Sequence, residues 1–243
     1  MSNQSDVQME SWDGTLHPNS IISELAVAEA ASLSSAAPTR IETSELAFVP
    51  IFEANFSAVC DLFIQTSEEV FEHYSEPKMR LPSEVRDFVD KRTAQWEAGD
   101  RFEYLIRYDG DLIGKTYLRS QADGASYTLG LWLQKAYWGR GFSGRRADAL
   151  IHVAFQRLNA TVVTVGTVHE NHKSRRGIEK YIRRYGGSFY GNVPLPDALY
   201  HEPDDPHAVV RHPEWAITRA EFETDETGIS TTMDGVDYDQ VQF

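Results

Sequence analysis

The chain of 243 residues holds a single cysteine, Cys60. One thiol excludes an internal disulfide framework and a cysteine-based zinc site, and it fits a reducing compartment. Lysine is scarce as well, with 6 Lys against 17 Arg, and the formal charge is −14. That balance argues against general nucleic-acid binding and against attraction to an anionic membrane. No apolar run approaches the roughly 18 residues that a spanning helix requires, so no membrane segment is expected. The most apolar early stretch, residues 21–37, is interrupted by Glu24 and Glu29 and lacks a basic leader, unlike a signal peptide. A cytoplasmic location is the expectation that follows. His201, His207 and His212 have no acidic or cysteine partners at ligand spacing, so no metal site is expected. The acidic, lysine-poor composition hints at salt adaptation.

The negative charge is segregated. Residues 1–38 contain five acids and no base, and residues 223–243 contain six acids and no base. The middle of the chain is left with 26 acids against 23 bases. Within it, residues 135–184 carry 11 bases and only three acids, Asp148, Glu170 and Glu179. A local anion site is therefore a better expectation than a diffuse electrostatic role. The ends read as flexible acidic appendages, 1–38 and 223–243, around a folded domain over 39–222. A short amphipathic helix over 21–33 is the one element expected in the first of them.

Within the domain, residues 45–52 read as a first strand. Phe56, Val59, Cys60, Phe63, Ile64, Val70 and Phe71 recur at helical spacing. Pro82 opens a second helix that Gly99 ends. Strands follow over 101–108, 112–121 and 127–133, joined by Asp109-Gly110-Asp111 and Asp123-Gly124, both hairpin signatures. A helix from about Gly144 to Leu158, a β-branched strand over 161–168 expected to be buried on both faces, and a basic helix over 173–185 come next. Strands over 206–211 and 214–222 close the domain. The order β-α-α-β-β-β-α-β-α-β-β predicts an α+β domain on a mostly antiparallel sheet.

The densest signal is the turn Gly139-Arg140-Gly141-Phe142-Ser143-Gly144, where a strand runs into a helix. Small residues let backbone amides point inward, and a helix start offers unpartnered N–H groups and the positive end of the dipole. Together they make a pyrophosphate cradle, with Arg140, Arg145 and Arg146 adding positive charge. Gly139-x-Gly141-x-x-Gly144 formally matches a dinucleotide fingerprint. Antiparallel hairpins precede it, however, and no acid stands in the window about 20 residues on, where Val162 to Gly166 lie. No Gly-Lys-Ser/Thr ends the turn, so a P-loop is excluded too.

In this setting the sequence resembles the GNAT superfamily of acetyl-CoA-dependent N-acetyltransferases, most closely the branch with the ribosomal-protein N-terminal (Rim-type) enzymes. Tyr137-Trp138-Gly139-Arg140-Gly141-Phe142-Ser143 is similar to that branch's YWGxGYA turn, with Ser143 in the usual Ala or Gly position. Leu129-Gly130-Leu131-Trp132-Leu133 resembles its LGYWL strand, and Asn171 to Lys180 resembles its NxxSxxxLEK helix start. Glu214-Trp215 also has a counterpart. The resemblance implies a GNAT fold, a mixed and mostly antiparallel sheet flanked by helices with a splayed central strand pair.

It also implies a mechanism in which a primary amine attacks the thioester of acetyl-CoA directly. Leu131, Trp132 and Leu133 would pair through their backbone with the pantetheine arm. Amides from Trp138 through Gly139, Arg140, Gly141, Phe142 and Ser143 to Gly144 would hold the pyrophosphate, and Asn171 would bond the arm. Ile178 occupies the position where many members carry a Tyr that protonates the leaving thiolate. Ser174 is then the candidate acid, with Tyr181 and Tyr185 as alternatives. The Glu common before LGYWL is replaced by Thr128, which leaves His169 and Glu170 as candidate bases, beside a water relay. The acceptor implied is a protein N-terminus, a small amine or a polyamine, and the acidic ends could recruit a cationic one. The rival readings are a non-catalytic acyl-CoA sensor on the same fold and RNA binding by the helix over 173–184. Overall charge and the lack of an aromatic stacking motif argue against the RNA reading.

Overall fold

The computed structural model describes residues 37–200 and 207–228. The elements in chain order are β1 (Ile41–Glu42), β2 (Ala47–Pro50), α1 (Phe56–Gln65), α2 (Pro82–Glu97), β3 (Arg101–Tyr108), β4 (Asp111–Ser120) and β5 (Ser126–Leu133). They continue with α3 (Phe142–His152), β6 (Val162–Gly166), α4 (His172–Arg184), β7 (Ser188–Pro196), β8 (Val209–Thr218) and α5 (Arg219–Gly228). The eight strands form one sheet in the order β1-β2-β3-β4-β5-β6-β8-β7, in which only β5 and β6 run parallel. Asp109 and Gly110, both at positive φ, make the tight β3–β4 hairpin. The mixed, mostly antiparallel α+β architecture read from the sequence is the one observed.

Strand alternation sends side chains to two unlike layers. One face packs Phe102, Tyr104, Ile106, Leu118 and Leu129 against Leu150, Ile151 and Phe155 of the α3 region and Ile178 and Ile182 of α4. The other packs Leu105 and Trp132 against Val59, Leu62 and Phe63 of α1 and Val85 and Phe88 of α2. Beside this second apolar cluster lies an ionic one. Glu103 and Lys115 are fully buried and paired to each other, and Arg101 Nε reaches Glu103 at 2.6 Å. Glu76, from the α1–α2 connection, meets Lys115 at 2.9 Å, Arg101 at 3.1 Å and also Arg92. Burial alone would raise the Glu76 pKa, but Lys115, Arg101 and Arg92 outweigh it and hold the carboxyl at about 2. The connection is thereby tied to the sheet.

Several elements differ from the sequence expectation. The helix expected to span 56–71 ends at Gln65, where Thr66 turns extended and its hydroxyl bonds back to Leu62 O at 2.6 Å; residues 68–70 form a separate 3-10 turn. Helix α3 begins at Phe142, not after Gly144, and its last part widens into a π turn over Val153–Arg157. β6 is not buried on both faces: Val163 and Val165 are buried, while Val162, Thr164 and Gly166 are half-buried, because only the face of Val163 and Val165 joins the apolar core. The two closing strands expected at 206–211 and 214–222 are one strand, β8, followed by the helix α5. β7 was not anticipated. Ala37 is buried, and Pro38 O accepts a 2.8 Å bond from the Tyr104 hydroxyl, so the folded region includes these residues. The helix expected at 21–33 lies outside the described residues. Among the described residues, no helix is long and apolar enough to cross a membrane, and no group of three His, Cys, Asp or Glu could hold a metal ion.

Candidate active site

The two parallel strands begin as partners and then part. Register pairs join Ser126, Tyr127 and Thr128 of β5 to Val162, Val163 and Thr164 of β6, and stop there. The last bridge is a 3.1 Å contact between the Thr128 and Thr164 hydroxyls. Beyond it β5 runs on to Leu133 along β4, while β6 runs on to Gly166 along β8. A gap therefore opens between Gly130–Leu133 and Val165–Gly166.

The glycine turn follows directly from the β5 side of this gap. Gly139 and Gly141 have φ of 75° and 82°, values that an L side chain strains to adopt. A Cβ at either would meet nothing within 4 Å, so the space in front of the turn is open. Gly141 starts α3 with no side-chain cap; Gly144 N and Arg145 N fold back on Gly141 O at 3.1 and 3.3 Å. The amides of Phe142 and Ser143 have no backbone partner among the described residues. Phe142 itself is buried against Tyr108, with ring centroids 4.7 Å apart, and anchors the helix start.

Charge around the turn is arranged differently from the expectation. Arg140 lies over Tyr108 at 4.8 Å and bonds its hydroxyl at 3.1 Å. Arg145 is exposed and pairs with Glu45 at 2.5 Å. Arg146, expected to face the turn, is buried instead, near the Tyr181 ring, and burial lowers its pKa. Its place is taken by Arg184 from α4, which the sequence did not single out: a Cβ at Gly144 would lie 3.5 Å from its Nη2, and it pairs with Asp148 at 2.7 Å. Trp138 is partly exposed, its Nε1 donates to Leu133 O at 2.8 Å, and Lys173 Nζ sits 5.3 Å from its ring. Leu131 and Leu133 pair with β4, and the Trp132 side chain is buried between Phe63 and Phe71.

The expected catalytic side chains separate into two groups. Asn171 caps α4 by accepting from Ser174 N at 3.1 Å, so capping uses the asparagine oxygen and not the serine hydroxyl. Ser174 is half-buried in the first turn of α4, past the end of β6. His169 is half-buried and Glu170 is exposed, both on the β6–α4 connection; His169 N donates to Arg211 O at 2.9 Å. Tyr181 does not belong with them. It is 1% exposed, packed toward the Arg146 guanidinium, and its pKa is raised chiefly by burial. Tyr185 is buried too, its hydroxyl 3.2 Å from Asp148. Both belong to the apolar layer because α4 turns Ile178, Tyr181, Ile182 and Tyr185 inward, at helical spacing.

With this geometry in view, comparison with known proteins gives a definite result. Residues 46–181, more than half of the chain, match the acetyltransferase (GNAT) domain family. The chain belongs to that family. No curated protein matches it by sequence. Solved structures share the fold at low identity. The acetyltransferase (GNAT family) from Bacillus anthracis is 17% identical with a TM-score of 0.57, covering 74% of this chain and 99% of its own. Mycobacterium smegmatis RimJ in complex with CoA-disulfide is 14% identical with a TM-score of 0.61, covering 81% and 94%. RimL, a ribosomal L7/L12 alpha-N-protein acetyltransferase, is 15% identical with a TM-score of 0.58, covering 73% and 94%.

As a GNAT acetyltransferase the protein is an acyltransferase that uses acetyl-CoA. The residues present fit that co-substrate. The turn is open in front of Gly139 and Gly141, the first amides of α3 are uncapped, and three guanidinium groups surround it.

Proposed function

We propose that this acetyltransferase transfers the acetyl group of acetyl-CoA directly to a primary amine, with a protein N-terminus ahead of a small amine or polyamine. The parting of β5 from β6 beside the uncapped start of α3 carries this reading. A nucleotide at the turn and a thioester in the gap would be held by one continuous piece of backbone. The turn amides from Trp138 to Gly144 take the pyrophosphate, and the free edge of Leu131–Leu133 takes the pantetheine arm and orients the carbonyl. The Asn171 amide, its oxygen already engaged in the cap, donates to the arm through its NH2 group. Ser174 is left as the candidate hydroxyl of α4 for protonating the departing thiolate.

The acceptor side is the opposite face of the sheet. A groove of about 520 Å³ lies between the α1–α2 connection and the β7–β8 connection, lined by Glu68, Phe71, Glu72, Tyr74 and Glu76 on one side and Leu199 and Tyr200 on the other. Glu68 is matched by Arg80 at 2.9 Å and Glu76 by the buried cations, whereas exposed Glu72 is available to an incoming ammonium. The open form suits an extended N-terminal segment as well as a polyamine.

Mixing the purified protein with acetyl-CoA and either spermidine or a Ser-Ala-Arg peptide, and following thiol release, tests the reading. Acetylated product with release of free CoA supports it. A second reading, an acyl-CoA sensor, draws on the burial of Tyr181 and Tyr185. Calorimetric binding of acetyl-CoA without turnover of any amine would favour the sensor, and absence of binding would remove both.

A further inference from the structure

The gap between β5 and β6 is flanked by two glycines that face the same way. Thr128 and Thr164 bond through their side chains, so both point to the α1/α2 face; Gly130 and Gly166, two residues further on each strand, share that orientation. Each glycine is overlain by a side chain from its outer neighbour. Tyr117 of β4 is the register partner of Gly130, and a Cβ there would run into its phenol ring and hydroxyl. Glu214 of β8 is the register partner of Gly166, and a Cβ there would run into the His212 imidazole and the Glu214 stem. The two side-chain groups thus lean over the place where the strands separate.

The His212 group is a built arrangement. Its Nδ1 is buried and lies 3.3 Å from Glu214 Oε1, and the His212 side chain retains 14% of its surface. Tyr200, which lines the acceptor groove, stacks on the ring with centroids 6.3 Å apart and planes 24° apart. Burial, then Tyr117 and Glu214, push the Tyr200 hydroxyl up to about 12, so it stays neutral. The charged and titratable groups facing this neighbourhood are Glu214 on the same strand, Tyr200 on the β7–β8 connection, and Tyr117 and Arg119 on β4. Nδ1 has no hydrogen-bond partner among the described residues, so the Glu214 carboxylate beside it is an electrostatic neighbour, and the imidazole keeps a nitrogen that can accept a proton, as a general base requires.

We propose that His212, with the Glu214 carboxylate beside it, is the base that removes the proton from the acceptor amine, a role that rests on the acetyl-transfer reading above. Neither residue was a catalytic candidate in the sequence. His212 Nε2 accepts one proton from the acceptor's ammonium group. The freed nitrogen lone pair forms the bond to the thioester carbonyl carbon as the carbon–sulfur bond breaks. The departing thiolate takes the second nitrogen-bound proton, directly or through Ser174. His212 then returns its proton to solvent, and the products are the amide and CoA thiol.

The test compares wild type, His212→Gln and Glu214→Gln with acetyl-CoA and the faster of spermidine and the Ser-Ala-Arg peptide, over pH 5.5 to 9. His212→Gln is expected to lower kcat about 100-fold, to lose the enzyme's own acidic limb of the pH profile and to keep its affinity for acetyl-CoA. Glu214→Gln is expected to lower kcat about threefold to tenfold with the KM for both substrates unchanged, since the carboxylate lies beside the ring that takes the proton. The amine's own ionisation is common to all three proteins and cancels. An acidic limb that persists in His212→Gln, or kcat within a factor of three of wild type in that variant, would overturn the assignment while leaving acetyl transfer intact. A wild type that binds acetyl-CoA but acetylates neither amine would remove the assignment together with the enzymatic reading.

Discussion

Two pairs of glycines border the same gap, and they are glycine for opposite reasons. Gly139 and Gly141 stand before open space but hold a left-handed backbone. Gly130 and Gly166 lie on ordinary extended strands, and each lacks a side chain because a neighbouring one already fills that volume. On the proposed reading, the first pair shapes backbone amides for the pyrophosphate. The second makes room for Tyr117 and for His212 with Glu214, on the face from which an acceptor would come. On the proposed reading, the difference separates the two halves of a bisubstrate site, one built from main chain and the other from side chains.

The largest effect that would break this distinction is expected at Gly166. A methyl group there displaces the imidazole from the end of β6. Gly166→Ala is expected to lower kcat by one to two orders of magnitude and stability by about 1–3 kcal/mol, with acetyl-CoA binding retained. Steady-state kinetics and calorimetry on the one variant separate these quantities. Equal losses in acetyl-CoA affinity and in kcat would mean that the two glycine pairs serve one subsite.

Gly130 gives the next effect. Its crowding comes from the far end of one phenol, which is itself stacked under Arg101 at 3.5 Å. Gly130→Ala is expected to destabilise by about 1–3 kcal/mol. Tyr117→Ala made in the same chain should recover part of that loss, giving a favourable coupling of about 1–2 kcal/mol in a denaturant double-mutant cycle. Strict additivity would show that the glycine is not there for the tyrosine.

This contrast also explains what the sequence disclosed. A left-handed turn followed by a helix is local, so Gly139 to Gly144 were legible from spacing alone, as were the β3–β4 hairpin and the Pro82 helix start. Crowding at Gly130 and Gly166 depends on cross-strand register, which no local pattern records, and His212 was read only against metal spacing. The same holds for β8. Pro213 looks like a break between two strands, yet its carbonyl accepts from Thr167, so its missing N–H faces the side where β6 has just ended. Pairing with β7 continues past it. Arg146 was misplaced because an arginine just past the glycine turn reads as charge for an anion, and Tyr181 because an aromatic on the basic helix reads as catalytic, whereas the helix phase buries both. The ionic cluster of Glu76, Arg92, Arg101, Glu103 and Lys115 joins residues from four separate segments and carries no sequence signature at all.

The smallest effect belongs to the open pair, and it is the one that tests why those residues are glycine. At Gly141 a Cβ meets no atom, so any penalty is conformational. Gly141→Ala is expected to destabilise by about 1–2 kcal/mol through its 82° φ. Asn tolerates that region far better than Ala, so Gly141→Asn should recover about half of this loss despite its greater size. Both variants are expected to raise the KM for acetyl-CoA while sparing the KM for the amine, because the displaced groups are amides of the turn. Urea melts and initial rates check both parts. If Asn proves worse than Ala, bulk and not backbone geometry decides the position, and the turn would then be a crowded site like the one at Gly166.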